Sequence, residues 1–184
     1  ALGSLENVFK EKSSITAGLI KGGTLIVNAD DPYLNRLRTT TRYKVVTFGV
    51  NRGQFVPQDL HWDENACAIF KIGRTRFHLK VPGVHNLYNA LAAIAVGVRC
   101  GVPKSEISLA LNNFHASKMR MELRRVNGFG MAVDCYNANP SSVRMALQTI
   151  GNIQITGRRI AVLGDMLELG EQAISMHREI GCLV

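Results

Sequence analysis

The chain has 184 residues, 46% of them hydrophobic and 20% charged, with a net charge of +8. That length suits one ordinary domain or two small ones, and the apolar content supports a packed core, which excludes wholesale disorder. The basic residues are scattered, and an aromatic content of 7% offers no stacking stripe, so the charge suggests a phosphate-bearing small molecule or a basic surface before it suggests nucleic acid.

The first seventeen residues of interest, 4 to 20, carry Leu5, Val8, Phe9, Ile15 and Leu19 at helical spacing, with a break near Lys12-Ser13-Ser14. Gly22-Gly23 ends that helix, and Thr24 to Val27 reads as a buried strand. Asp31 before Pro32 is a helix start, because its carboxylate takes free N–H groups and suits the positive helix end. A short helix over Tyr33 to Arg38 and a strand over Lys44 to Phe48 complete a βαβ unit and predict a parallel sheet.

Between about 54 and 82 the pattern changes. Ala66 to Ile72 and Thr75 to Val81 flank Gly73-Arg74, an antiparallel hairpin with Phe77, Leu79 and Val81 alternating in its second arm. His61 and His78 fall in or near it without a partner at metal-ligand spacing, and read as surface or edge residues. From Asn86 the chain turns helical through Val98, and Asn86 and Asn89, three apart, share a face. Two carboxamides at a helix N-terminus can read the donor and acceptor edge of a purine; a capped helix with a polar first turn would look the same. Gly101-Val102-Pro103 stops this helix and Ser105 to Leu111 forms another. Arg120, in the basic run Lys118 to Glu122 that enters a strand, is able to clamp a phosphate or carboxylate with its two-pronged guanidinium.

The most telling stretch is Asp134-Cys135-Tyr136-Asn137-Ala138-Asn139-Pro140-Ser141-Ser142. Asn127-Gly128 makes a tight turn, Phe129 to Asp134 a strand, and Pro140 opens a helix over Val143 to Ile150. Polar groups therefore gather at the carboxyl end of a strand, where open α/β sheets bind ligands. Asp134 can accept from a ribose or hold a metal or water, and Asn137 and Asn139 each donate and accept. An Asn turn plus a helix cap would satisfy the same string. Ile160 to Leu163 reads as a further strand, with Asp165 in the loop at its end and a last helix over Glu171 to Ile180, so a second βαβ unit is expected to close the chain. One parallel pair cannot cover both faces, and further sequence or a partner surface is expected after Val184. The four cysteines, Cys67, Cys100, Cys135 and Cys182, form no C-x-x-C pair; with no apolar run of membrane-spanning length and no leader, they suit a reducing cytosol.

The string from Asp134 to Ser142, with Gly164-Asp-Met-Leu-Glu-Leu-Gly-Glu, resembles the Mur ligases, and within them the branch that adds D-alanyl-D-alanine to UDP-N-acetylmuramoyl-tripeptide. Gly83-Val-His-Asn-Leu-Tyr-Asn-Ala-Leu-Ala-Ala is similar to the wider family's adenine-side motif, shared with folylpolyglutamate synthases, and Gly3-Ser-Leu-Glu-Asn-Val and Asn28-Ala-Asp-Asp-Pro also resemble the family. The resemblance implies an α/β architecture in which residues 1–125 are the C-terminal part of a central ATP-binding domain, and 126–184 the first part of a Rossmann-like domain. It implies that His85, Asn86 and Asn89 contact adenine, that Arg120 reaches the phosphates, and that Asp134 and Asn137 close on the ribose and γ-phosphate side. Arg120, Asp134 and Asn137 are then the catalytic set, for ATP-dependent amide synthesis through an acyl phosphate, by an enzyme expected to be monomeric and cytoplasmic. The chain contains no G-x-x-x-x-G-K-[ST] phosphate loop, and Mg²⁺ ligands are expected outside it, so this segment alone is expected to be inactive. A folylpolyglutamate or cyanophycin synthetase, or a non-catalytic nucleotide-binding module, is the alternative.

Overall fold

The structure is a computed structural model and describes residues 4–39 and 42–184. Helix α1, Leu5–Ser13, begins where the Ser4 hydroxyl accepts the Asn7 N–H, and passes at Ser14–Gly18 into a 3₁₀ helix, the break expected there. Strands β1, Thr24–Asn28, and β2, Lys44–Phe48, pair in parallel with Val27 opposite Thr47. The crossover starts as expected at Asp31, whose Oδ1 accepts the Tyr33 and Leu34 N–H groups at 2.8 and 2.9 Å. The expected helix there is a 3₁₀ helix, Leu34–Thr39, since so short a run gains little from the wider α-turn.

The expected hairpin, β4 (Cys67–Ile72) against β5 (Thr75–Pro82), is joined by a strand that the sequence does not announce, β3 (Gln58–Trp62), in the order β3-β4-β5. In β3 only Leu60 is half-buried, so no apolar alternation marks it. Phe70 and Phe77 stack across β4 and β5 with ring centroids 5.3 Å apart. Helix α2, Val84–Arg99, buries Leu87, Ala90, Leu91, Ile94 and Ala95, a stripe at i, i+3, i+4, i+7 and i+8. That stripe lies in one core with Phe48, Phe70, Phe77 and Leu79, so the sheets fix where the α2 N-terminus sits. Helix α3, Lys104–Asn112, packs Ile107 against Gly97 of α2, where a Cβ would stand 2.7 Å from Ile107 Cδ1.

After an irregular stretch, β6 (Glu122–Val126) and β7 (Phe129–Val133) form an antiparallel hairpin around Asn127-Gly128, whose φ angles of +48° and +85° are those of a two-residue turn. Helix α4, Pro140–Asn152, follows with a capping box: Asn139 Oδ1 accepts the Ser142 N–H at 2.9 Å and Ser142 Oγ accepts the Asn139 N–H at 3.1 Å. A one-turn 3₁₀ segment, Gly170–Gln172, leads into α5, Ala173–Gly181.

The expected strand Ile160 to Leu163 is not formed. The segment is irregular and has no ladder partner among the described residues, with Ile160 81% and Val162 92% exposed. An apolar run becomes a strand only where a neighbour offers a ladder, and none of the described strands pairs with this one. The second βαβ unit is therefore replaced here by a hairpin and two helices.

Candidate functional site

A cleft of about 320 Å³ opens between the α2 N-terminus and the loop from β7 to α4. His85, Asn86 and Asn89 line it from one side, and Arg120, Asp134 and Asn137 from the other. These are the side chains singled out from three separate stretches of sequence. The wall is completed by residues without a motif to flag them, Phe114, Ala116, Ser117 and Met145, and by Ser142 of the capping box.

The α2 side is set by Gly83. It has φ +97°, and a Cβ there would come within 2.8 Å of both His85 Cε1 and Thr149 Oγ1. Thr149, on α4, is buried and donates to the Met145 carbonyl at 2.8 Å, so α4 touches the start of α2 through a site where only glycine fits. The Asn86 amide donates to the Pro82 carbonyl at 2.8 Å and lies 3.1 Å from His85 Nε2. With Nε2 as acceptor the ring proton sits on Nδ1, a buried nitrogen with no partner within the protein. Burial pushes the His85 imidazole below its ordinary value, while the Asp134 carboxylate across the cleft pulls it back up. Because both Asn86 donors are engaged internally, its carbonyl oxygen is what it offers a ligand; Asn89, exposed, lies a long 3.5 Å from that oxygen.

The opposite wall is one interlocked unit. Asp134 Oδ1 accepts the Met121 N–H at 3.0 Å, which leaves its second oxygen for another donor, and the Tyr136 N–H donates to the Met119 carbonyl at 3.1 Å. Met119 and Met121, with φ +62° and +45°, bracket Arg120, whose guanidinium lies 4.2 Å from the Tyr136 ring centroid. Asn137 is exposed at the mouth, and Asn139 is used up capping α4. The arrangement offers one cation, one carboxylate and several carboxamides around a half-enclosed space, the donor set of a polar, anionic ligand.

Two other acids, Asp30 and the Asp165 flagged by sequence, lie elsewhere. Asp30, after β1, accepts the N–H groups of Val50, Asn51 and Arg52 and the Tyr88 hydroxyl, at 2.7, 3.1, 3.2 and 2.9 Å. Burial raises its carboxyl, but donation from Asn51, Tyr88, Val50 and Arg52 outweighs that and holds it below the ordinary carboxylate value; Tyr88 is pushed up to about 12, by burial and then by Asp30. This is a structural lock between β1, the loop after β2 and α2. Asp165 is nearly bare, 3.8 Å from His177 Nε2, which accepts the Met166 N–H at 2.9 Å. His78 pairs with Asp63 at 3.0 Å and His61 lies exposed on β3. Among the described residues no three His, Cys, Asp or Glu side chains form a metal-sized cluster, and no helix is long and apolar enough to cross a membrane.

The family description "Mur ligase middle domain" matches residues 1–97, more than half of the chain, and "Mur ligase, glutamate ligase domain" matches 119–184. The chain belongs to the Mur ligase family. Among Mur ligases it is 33% identical over 186 residues to the UDP-N-acetylmuramoyl-tripeptide–D-alanyl-D-alanine ligase of Bacillus subtilis, and 32% identical over 186 residues to that of Escherichia coli K12. Those alignments cover 100% and 97% of this chain but 40% and 41% of the relatives, so the chain spans about 40% of the length of the Mur ligases it matches. A crystal structure of MurF from Acinetobacter baumannii superposes with a TM-score of 0.89 at 26% identity, over 98% of this chain and 40% of that one. MurF from Thermotoga maritima, solved in complex with ADP, shares the fold with a TM-score of 0.84 at 24% identity, over 99% and 42%. The relatives are those of the branch to which the Asn-Ala-Asn-Pro and Gly-Asp-Met-x-Glu-Leu-Gly strings pointed.

Proposed function

We propose that this chain is the nucleotide-facing part of an ATP-dependent amide ligase that joins D-alanyl-D-alanine to UDP-N-acetylmuramoyl-tripeptide, a cytoplasmic step of peptidoglycan precursor synthesis. The observation that carries the reading is the cleft itself: carboxamides and a buried, unpartnered imidazole nitrogen on one wall, and a guanidinium and a carboxylate on the other. The relatives' names supply the substrates. We place the division between the two domains in the irregular stretch 113–121, ahead of β6, rather than at 125, which lies within the β6–β7 ladder.

In this reading ATP is a substrate whose γ-phosphate activates the tripeptide carboxylate as an acyl phosphate, which the D-alanyl-D-alanine amine then attacks. The donor set fits such a ligand. Asn86 and Asn89 meet the purine edge beside His85, Asp134 and Asn137 take the ribose and γ-phosphate side, and Arg120 meets phosphate oxygens. Phosphoryl transfer needs placed cations and donors more than a protein nucleophile, and Arg120 with the carboxamides supplies such a set. Residues split between two walls suit closure, which excludes the water that would hydrolyse an acyl phosphate. The phosphate loop is absent from this sequence, and Mg²⁺ is assigned to ligands elsewhere in the protein. The test is the ligase rate of Asp134→Ala and Asn137→Ala in the full-length protein. Both are expected to lose at least about two orders of magnitude while staying folded; near-normal rates in both would remove this loop from the active site.

A further inference from the structure

We propose that Tyr136 is a positioning residue, whose ring holds the Arg120 guanidinium in place for an anionic ligand. This rests on the reading that the cleft takes a nucleotide, and names a residue which that reading does not use. Three contacts join residues 119–121 to residues 134–136: Met121 N–H to Asp134 Oδ1 at 3.0 Å, Tyr136 N–H to the Met119 carbonyl at 3.1 Å, and the guanidinium carbon 4.2 Å from the ring centroid. Arg120 and Asp134 line the cleft, but Tyr136 does not. Tyr136 is 63% exposed, so core packing does not explain an aromatic there.

A guanidinium on a long, exposed stem samples many rotamers, and ordering it on binding costs affinity. Stacking on an aromatic face uses the plane of the group and leaves its rim of N–H donors free for a two-pronged contact. The left-handed backbone at Met119 and Met121 fixes the root of the side chain, and the ring fixes its far end. The ring thus acts on a ligand through Arg120, with no contact of its own.

The experiment measures ATP affinity by equilibrium titration, with KM for ATP and kcat, in the full-length protein. Tyr136→Leu is expected to bind ATP about two- to fivefold more weakly, the range of an exposed cation–π contact, with the loss in KM rather than kcat. Tyr136→Phe keeps the ring face and is expected to restore the wild-type affinity. Arg120→Ala is expected to weaken ATP about tenfold or more, and adding Tyr136→Leu to it is expected to change nothing further. A penalty that persists in the Arg120→Ala background would overturn the assignment, because the ring would then touch the ligand itself. A Phe variant as weak as Leu would overturn it too, as would an unaffected Tyr136→Leu beside a weakened Arg120→Ala. Unchanged affinity in Arg120→Ala would sink both the assignment and the phosphate-side reading of the cleft.

Discussion

Gly83 stands where a side chain would wreck the cleft. Its φ of +97° is costly for alanine, and a Cβ would strike His85 and Thr149 at 2.8 Å. Gly83→Ala is expected to destabilise the protein by about 2–4 kcal/mol, combining backbone strain with overpacking; a urea denaturation midpoint within error of wild type would contradict this. His85 carries the pH dependence. Its folded imidazole holds a proton less tightly than the unfolded one, so its stabilising effect is complete above the ordinary value of 6.5. It is lost as pH falls through the lower folded value, because the unfolded state then binds more protons. Asp134 opposes the lowering, so Asp134→Asn is expected to drop the His85 pKa further, as read from the NMR titration of its imidazole; an unchanged or higher value would mean that the two walls do not face each other. Asn86, Asn89, Arg120, Asp134 and Asn137 stand out in sequence as polar or basic residues at or near predicted element ends, His85 enters through the family resemblance, and all six line the cleft. Sequence left out Tyr136 and Thr149 as individuals: Thr149 lies within a helix pattern, and only the fold brings it to Gly83.

At the scale of elements, the parallel pair, the β4–β5 hairpin, α2 and the β6–β7 turn were legible because each carries its own local signal, an apolar period or a turn dipeptide. Strand β3 was not, since its string Gln-Asp-Leu-His-Trp has no period and its pairing to β4 supplies the order. The error at Ile160 to Leu163 is the converse: apolar content without a hydrogen-bonding neighbour. Helix α4 is where element and site meet, since Asn139 and Ser142 satisfy each other's backbone while Ser142 lines the cleft. Asn139→Ala is expected to cost about 1 kcal/mol, with the loss seen in thermal or urea unfolding. Stability equal to wild type would show that the capping box contributes nothing.

At the scale of the molecule, one wall comes from the region that the first family description covers, residues 1–97, and the other mainly from the second, 119–184, which holds Arg120, Asp134 and Asn137; Phe114, Ala116 and Ser117 lie in the connection between them. Such a connection suits closure over a ligand. The 184-residue chain by itself is expected to show no ATP hydrolysis, because the phosphate loop is not in it; steady turnover by the purified chain would refute that. The central claim is that one nucleotide is held by both walls at once. Hydrogen exchange read by mass spectrometry on the full-length protein, with and without ATP, tests it most directly: the account predicts slowed exchange in residues 83–90 and 117–137 together. Protection confined to one of them, or found in neither while ATP is bound, would contradict it.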